Sequence, residues 1–401
     1  MELYQHADHP KNINSDPRFK TRLKILQINA SYKPAYIYGG PTMSVSMLSE
    51  QMIKAGCIIE VFTTTANGNT ELSVSPNRRV IIDGVPVTYF KRITKDHSHF
   101  SPVLLRKLWK EVKSFDVVHI HAWWNLVSVL SCWIAVMCKV PVVISPRGTL
   151  SAYSFTNKNN LAKKIIHNFI GKRLLKKSVI HVTSEREKAG IESIIHPKRI
   201  INIPNFILLP EIVSANHRKP GETLKLLFFS RIEEKKGLDI LLNALATVTI
   251  PYHLTIAGDG EAGYIGKLKN IAANNNISEH ISWIGFQGSN KFDLLQQHDV
   301  MILPSHDENF GNVVIESLST GTAVLISKYV GLADYVVEKD LGWVCDLDEN
   351  SISNYINGLA LESDKLQAIR KQAPGRVRKD FSEESLTKKY IAMYHQIINN
   401  G

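Results

Sequence analysis

Short apolar, β-branched runs alternate with helix-compatible stretches from Leu23 to Asn205, and the same alternation restarts at Leu224. The first series reads LKILQIN (23–29), a helix opening near Pro41, IIEVFTTT (58–65), a hairpin through Asp83-Gly84 and DVVHIH (116–121). It continues with an uncharged helix, PVVISPRG (141–148), a basic helix from about Asn159 to Lys177, SVIHVTS (178–184), a short helix and INIPN (201–205). Runs that are apolar throughout, rather than on alternate residues, suit strands buried on both faces, as in a parallel sheet covered by helices. The second series is LKLLFFS (224–230), a helix from Leu238, YHLTIAGDG (252–260), a helix, ISWIGF (281–286), a helix, VMILPS (300–305), a helix from about Gly311 and AVLIS (323–327). The expected fold class is α/β, with two doubly wound, Rossmann-like domains facing a central cleft.

At 401 residues the chain has room for two such units, since domains commonly run to about 100–200 residues. The expected division is a polar N-terminal extension over 1–22, a first domain over 23–205, a linker over 206–222 and a second domain over 223–380. A C-terminal helix over 381–401 is expected to return towards the first domain. The linker carries Pro210, Pro220 and Gly221 among polar residues. Open parallel sheets bind ligands beyond the carboxyl ends of their strands, so the chemistry is expected in strand-to-helix loops lining the cleft.

The net charge of +11 is unevenly placed. Residues 1–210 hold 29 basic against 13 acidic residues, and residues 211–401 hold 19 against 24. No acidic residue falls between Asp116 and Glu185, whereas Lys139, Arg147, Lys158, Lys163, Lys164 and four cations from Lys172 to Lys177 do. Such an excess attracts phosphate or an anionic surface. The four cysteines form no CxxC pair and sit in apolar stretches, as in a reduced compartment. The first twenty residues lack the apolar core of a signal peptide, so a cytoplasmic address is expected. The longest uncharged run, Ala122 to Cys138, has 17 residues; a membrane span needs about 20, so it reads as a buried core helix.

Three segments carry chemistry. Gly39-Gly40 follows the first strand and precedes a helix that Pro41 starts well, so backbone N–H groups can approach a phosphate there. It is not the GxGxxG of dinucleotide-binding enzymes. Arg231 and Lys236 follow LKLLFFS, where a diphosphate leaving group would need its charge neutralised; Lys235 reads as a solvated companion. In LPSHDENFGNVVIESLSTGTAVLIS (303–327), Glu308 stands at the strand exit and Glu316 eight positions later inside an apolar helix, where a carboxylate needs a partner. Phe310, Gly311 and Asn312 offer N–H groups at the start of that helix.

Taken in order, Gly39-Gly40, the HIH of 119–121, SPRG at 145–148, IPN at 203–205, Arg231 with Lys236-Gly237, AGDGE at 257–261 and the glutamates 308 and 316 resemble glycosyltransferase family 4. The resemblance covers nearly the whole chain from about residue 22 and rests on order and spacing more than on any one motif. It implies a GT-B fold and retaining transfer of a sugar from a nucleotide-sugar donor, UDP-sugar before GDP-sugar, with no obligatory metal or other cofactor. The family pattern places Arg231 and Lys236 on the donor diphosphate, Glu316 on the ribose hydroxyls and Glu308 beside the transferred sugar. Gly40, Gly258 and the segment Asn309, Phe310, Gly311 and Asn312 would also contact the donor. His121 would lie near donor sugar and acceptor and counts with Glu308, Arg231 and Lys236 as catalytic, with His119 orienting it. Arg147 suits an anionic acceptor. The family often has glycine where this chain has Asn309. Asp346-Leu347-Asp348 lies near the end of the second domain and is not read as a metal site.

The basic first half suits a glycan or lipid-diphosphate-linked saccharide acceptor of polysaccharide or glycoconjugate biosynthesis, held at the inner face of an anionic membrane to which the enzyme is peripheral. Nucleic acid is not expected, because no recognition motif accompanies the charge. A sugar-nucleotide epimerase or hydrolase of the same fold could use this cleft, and so could a nonenzymatic sugar-nucleotide binding protein. Both cations and both glutamates argue against the latter.

Overall fold

The computed structural model describes residues 22–151, 170–210, 223–288 and 290–399. The first part of the expected basic helix and residues 211–222 of the expected linker lie outside the described residues. The first domain is an eight-stranded sheet built from β1 (Lys24–Ile28), β2 (Ile58–Thr64), β3 (Arg79–Ile82), β4 (Val85–Phe90), β5 (Val117–His121), β6 (Val142–Ser145), β7 (Val179–Val182) and β8 (Arg199–Asn202). Its order is β8-β7-β6-β5-β1-β2-β4-β3, parallel except for the β3–β4 hairpin at one edge. Helix α1 (Gly40–Lys54) covers one face, while α2 (Pro102–Glu111), α3 (Leu126–Met137), α4 (Lys172–Lys177) and α5 (Glu185–Glu192) cover the other.

Helix α2 is absent from the sequence reading, although its start is well specified: the Ser101 hydroxyl caps the Leu104 N–H and Pro102 takes the first helical position. Asn125 caps α3 in the same way, through the N–H of Ser128. The expectation that 122–138 is a buried core helix holds for one side of α3 (Leu126–Met137). Val127, Cys132 and Ile134 are in the core, but Trp133 and Met137 are exposed.

The second domain holds a parallel six-stranded sheet of β9 (Leu224–Phe229), β10 (Tyr252–Ala257), β11 (Ile281–Gly285), β12 (Val300–Leu303), β13 (Ala323–Ser327) and β14 (Gly342–Cys345), in the order β11-β10-β9-β12-β13-β14. Its helices are α6 (Leu238–Leu245), α7 (Ala262–Asn274), α8 (Lys291–Gln296), α9 (Asn312–Ser319), α10 (Ala333–Glu338), α11 (Glu349–Gly358) and α12 (Ser363–Asp380). From β9 the chain moves outward to β10 and β11, then returns to place β12 on the other side of β9. That reversal opens a crevice at the carboxyl ends of β9 and β12. In the first sheet β1 lies between β5 and β2, so the equivalent crevice is at the ends of β1 and β5.

The chain crosses between domains twice. Phe206 is buried in the first core, stacked on Tyr390 with ring centroids 5.4 Å apart, and the next residue, Ile207, is buried in the second. The expected linker therefore begins as packed chain rather than solvated loop. On the return, Phe381 belongs to the second core and Leu386 to the first. Between them starts α13 (Glu383–Asn399), which lies on the first sheet with Tyr390, Met393 and Tyr394 fully buried.

Candidate active site

Strands β9 and β12 are neighbours, so their loops lie side by side at the crevice. Lys236, ending the loop after β9, is ion-paired with Glu308 in the loop after β12. Lys235 pairs with Asp307 at 3.1 Å, so it is a second stitch between the loops and not a solvated companion. Gly237 makes this close approach feasible. Its φ is +68°, and a Cβ there would lie 2.0 Å from the Pro304 carbonyl oxygen. Arg231, 61% exposed, reaches Glu233 at 2.7 Å and stands at the open side of the loop.

Helix α9 starts where the second loop ends. The buried Phe310 ring packs on Phe381 and anchors the loop, leaving its backbone at the crevice. Glu316, one turn into α9, accepts an ion pair from Lys291 at 2.7 Å, which supplies the partner a carboxylate among Val314, Ile315 and Leu318 requires. Across the cleft, Gly40 opens α1. A Cβ on Gly40 would sit 3.3 Å from the side-chain nitrogen Nδ2 of Asn312, so the first residues of α1 and α9 lie close together across the cleft. Two positive helix ends repel unless an anion lies between them.

Two family models match this chain. The one described as "Glycosyltransferase Family 4" matches residues 38–209, and the one described as "Glycosyl transferases group 1" matches residues 211–376. The chain belongs to glycosyltransferase family 4. This family 4 member is 23% identical over 393 residues to D-inositol 3-phosphate glycosyltransferase of Corynebacterium urealyticum, covering 90% of this chain and 91% of the relative. Among solved structures it is similar to sucrose-phosphate synthase from Thermosynechococcus elongatus, with a TM-score of 0.71, 18% identity and coverage of 95% of this chain and 100% of the other. Anabaena HepE, solved in complex with UDP and glucose, also gives a TM-score of 0.71 at 18% identity, covering 94% of this chain and 100% of the other. The fold is GT-B, and the protein is a glycosyltransferase.

Within this family 4 enzyme, several expected site residues have other tasks. The N–H of Gly258 donates to the Gly285 carbonyl at 2.8 Å, and a Cβ there would lie 1.8 Å from the Ser230 carbonyl oxygen. This glycine is required by strand packing, and its amide is not free for a donor. The Asn309 side chain is turned towards the first domain. It donates to the Thr183 hydroxyl at 2.8 Å, while the backbone carbonyl of Asn309 accepts from the Ser184 hydroxyl at 2.9 Å. Asparagine in place of glycine thus makes an interdomain tie. The Asn312 side chain accepts from the Asn205 amide at 3.3 Å, across the cleft.

The expectation that His121 faces the donor sugar is corrected. Its ring is fully buried and both nitrogens are occupied. Arg147 Nε donates to Nδ1 at 3.1 Å, which leaves Nε2 to carry the proton and donate to Gln27 Oε1 at 2.6 Å. Arg147 is corrected with it: its Nη1 donates to Ser44 at 2.9 Å and to Asn205 at 2.8 Å, so the guanidinium is spent inside the protein and not on an acceptor.

Sequence reasoning missed the network that continues from there. The Gln27 amide donates to the Tyr394 hydroxyl at 3.3 Å, which is then free to donate to His119 Nδ1 at 2.7 Å. His119 Nε2 and Ser145 are 2.6 Å apart, Ser145 and His181 Nδ1 2.6 Å, and His181 Nε2 reaches the Ile203 carbonyl at 2.9 Å. One consistent direction of donation runs from Arg147 through three neutral histidines to a backbone acceptor. Burial pushes His119 and His121 well below the ordinary histidine range and His181 down to about 3, with neighbouring cationic groups acting in the same sense. The rings of His119 and His121 are in contact, tilted by 36° with centroids 4.2 Å apart.

The acidic pair of Asp346-Leu347-Asp348 is engaged in local structure. Asp346 pairs with Lys328 at 2.6 Å, and Asp348 caps α11 through the N–H of Ser351.

Proposed function

We propose that this enzyme transfers a sugar from a UDP-sugar, with retention and without an obligatory metal, to a lipid-diphosphate-linked saccharide or related glycan in polysaccharide or glycoconjugate assembly. The observation that carries the donor half is the apposition of the α1 and α9 N-termini beside the Lys236–Glu308 pair. A diphosphate between them would take N–H groups from both helices and charge from Arg231 and Lys236, and so be held more strongly as its bond to the sugar breaks. Glu316 would accept from the ribose hydroxyls, with Lys291 keeping it oriented. Glu308 would lie against the transferred sugar.

In this reading the acceptor hydroxyl attacks the anomeric carbon from the face that the diphosphate leaves, and a diphosphate oxygen takes the hydroxyl proton. The acceptor half rests on the basic first domain, +16 over residues 1–210. A retaining, metal-independent transfer yields product of the donor's anomeric configuration by NMR at a rate unaffected by EDTA. Inverted product, or loss of turnover in EDTA, would contradict it. GDP stabilising the fold more than UDP would overturn the choice of nucleotide.

A further inference from the structure

Helix α3 carries no charged residue, and Leu126, Leu130, Trp133 and Met137 follow one another at spacings of four, three and four, which places them on one stripe. The stripe is not covered: Trp133 is 43% exposed and Met137 58%. On α2 alongside, Trp109 is 53% exposed, with its ring centroid 6.3 Å from that of Trp133, and Val103 is exposed beyond it. Two adjacent exposed tryptophans are unusual on a water-facing surface, and their amphipathic rings suit the headgroup level of a bilayer.

Cations border the stripe. Arg106, Lys110 and Lys113 are exposed on the α2 side, and Lys172, Arg173, Lys176 and Lys177 on α4, which packs against α3. None of these seven forms an ion pair among the described residues. Glu111 is the one acidic residue on the three helices, and Lys107 neutralises it at 2.7 Å. We propose that the α2–α3 face, with its tryptophan pair and basic borders, docks this enzyme on an anionic lipid bilayer. Apolar rings enter the interface while the cations meet lipid phosphates, each basic residue adding to the attraction. A second copy fits less well, because a two-fold contact here would bring the basic borders of both copies together.

The position of the face serves the chemistry. Helix α3 begins directly after β5, so its stripe starts at the rim of the cleft and runs away from it. Docking therefore presents the cleft mouth to the headgroup layer, where a lipid-linked acceptor would stand. That purpose rests on the acceptor class proposed above; the docking itself does not.

Flotation of the full chain with phosphatidylcholine vesicles, with and without phosphatidylglycerol, tests this. The enzyme is expected on the anionic vesicles only, less so as salt is raised. Trp109→Ser with Trp133→Ser, and separately Lys110→Glu with Lys113→Glu, should each weaken partitioning by at least about tenfold. Both double variants should keep the unfolding midpoint and the stabilisation by UDP, which reads the donor assignment independently of lipid. The proposal is overturned if the wild type ignores anionic vesicles, or if either double variant floats as the wild type does. It is equally overturned if light scattering shows a dimer that the tryptophan variant dissolves.

Discussion

Lys236 is ion-paired with Glu308, joining the loops of two neighbouring strands whose paired residues stand 72 positions apart in the chain. The pair is only slightly exposed, so each partner is held in place by the other before any donor arrives. Replacing Glu308 by Gln keeps the shape and an acceptor oxygen but removes the carboxylate charge proposed to lie beside the transferred sugar. The expected result is a fall in kcat of about a hundredfold with a donor KM within a few-fold of wild type, since the lost interaction develops in the transition state. Steady-state kinetics with a UDP-sugar provides the check.

Glu316 and Lys291 form the other pair at the donor end, and here the expected effect is on binding. Glu316→Gln should raise donor KM about tenfold or more, the value of a charge-assisted hydrogen bond. Wild type should lose a similar factor when the ribose of the donor lacks its 2′-hydroxyl, and the variant should lose much less. Additive losses would remove Glu316 from the ribose.

Asn205 stands between Arg147, which donates to its carbonyl oxygen, and Asn312, which accepts from its amide. This is a direct line from the buried network of the first domain to the first residue of α9. Asn205→Ala removes one cross-cleft hydrogen bond worth about 1 kcal/mol, enough to shift a closed-to-open ratio about fivefold. Small-angle scattering should report a larger radius of gyration for the variant, and kcat should fall several-fold.

Much of the architecture can be read along the chain because the strands of both sheets are mostly apolar, and LKLLFFS or AVLIS have few other uses. Strand β14 escaped because GWVC is four residues long and begins with glycine. The positions of Arg231, Lys236 and Glu308 were also legible, being set by the exits of β9 and β12. What the sequence could not reveal was pairing across the fold. His121 meets Arg147 because β5 and β6 align His121 with Ser145, and Tyr394 meets His119 from 275 residues away. A histidine at a strand end looks catalytic until the neighbours that occupy both its nitrogens are known.

The three buried histidines make stability depend on pH. Their folded-state values are depressed below the unfolded value, so on unfolding they take up protons whenever the pH lies below the ordinary histidine range. Stability is therefore expected to be full above about pH 7 and to fall as pH drops through the ordinary histidine pKa of about 6.5, by about 1.4 kcal/mol per pH unit for each proton taken up. Buried Glu187, raised by desolvation, works in the opposite sense at lower pH. Urea unfolding at pH 7 and pH 5 measures the slope. Tyr394→Phe should cost about 1–3 kcal/mol at both, since His119 Nδ1 is left buried without its donor.

Gly237→Ala should be among the most damaging small substitutions. The residue holds a left-handed conformation, and a methyl group would press into the Pro304 carbonyl, forcing apart the two loops that Lys236 and Glu308 join. A loss of at least about 1 kcal/mol from the backbone alone is expected, together with weakened UDP binding, and calorimetry reads both.

Titration calorimetry of UDP into wild type, Arg231→Ala and Lys236→Ala bears most directly on the central assignment of the donor diphosphate to the crevice between β9 and β12. Wild type should bind UDP, and each variant should bind at least about tenfold more weakly, the value of a lost charge-assisted contact to phosphate. Equal affinity in all three proteins, or a wild type that binds no nucleotide, would contradict it.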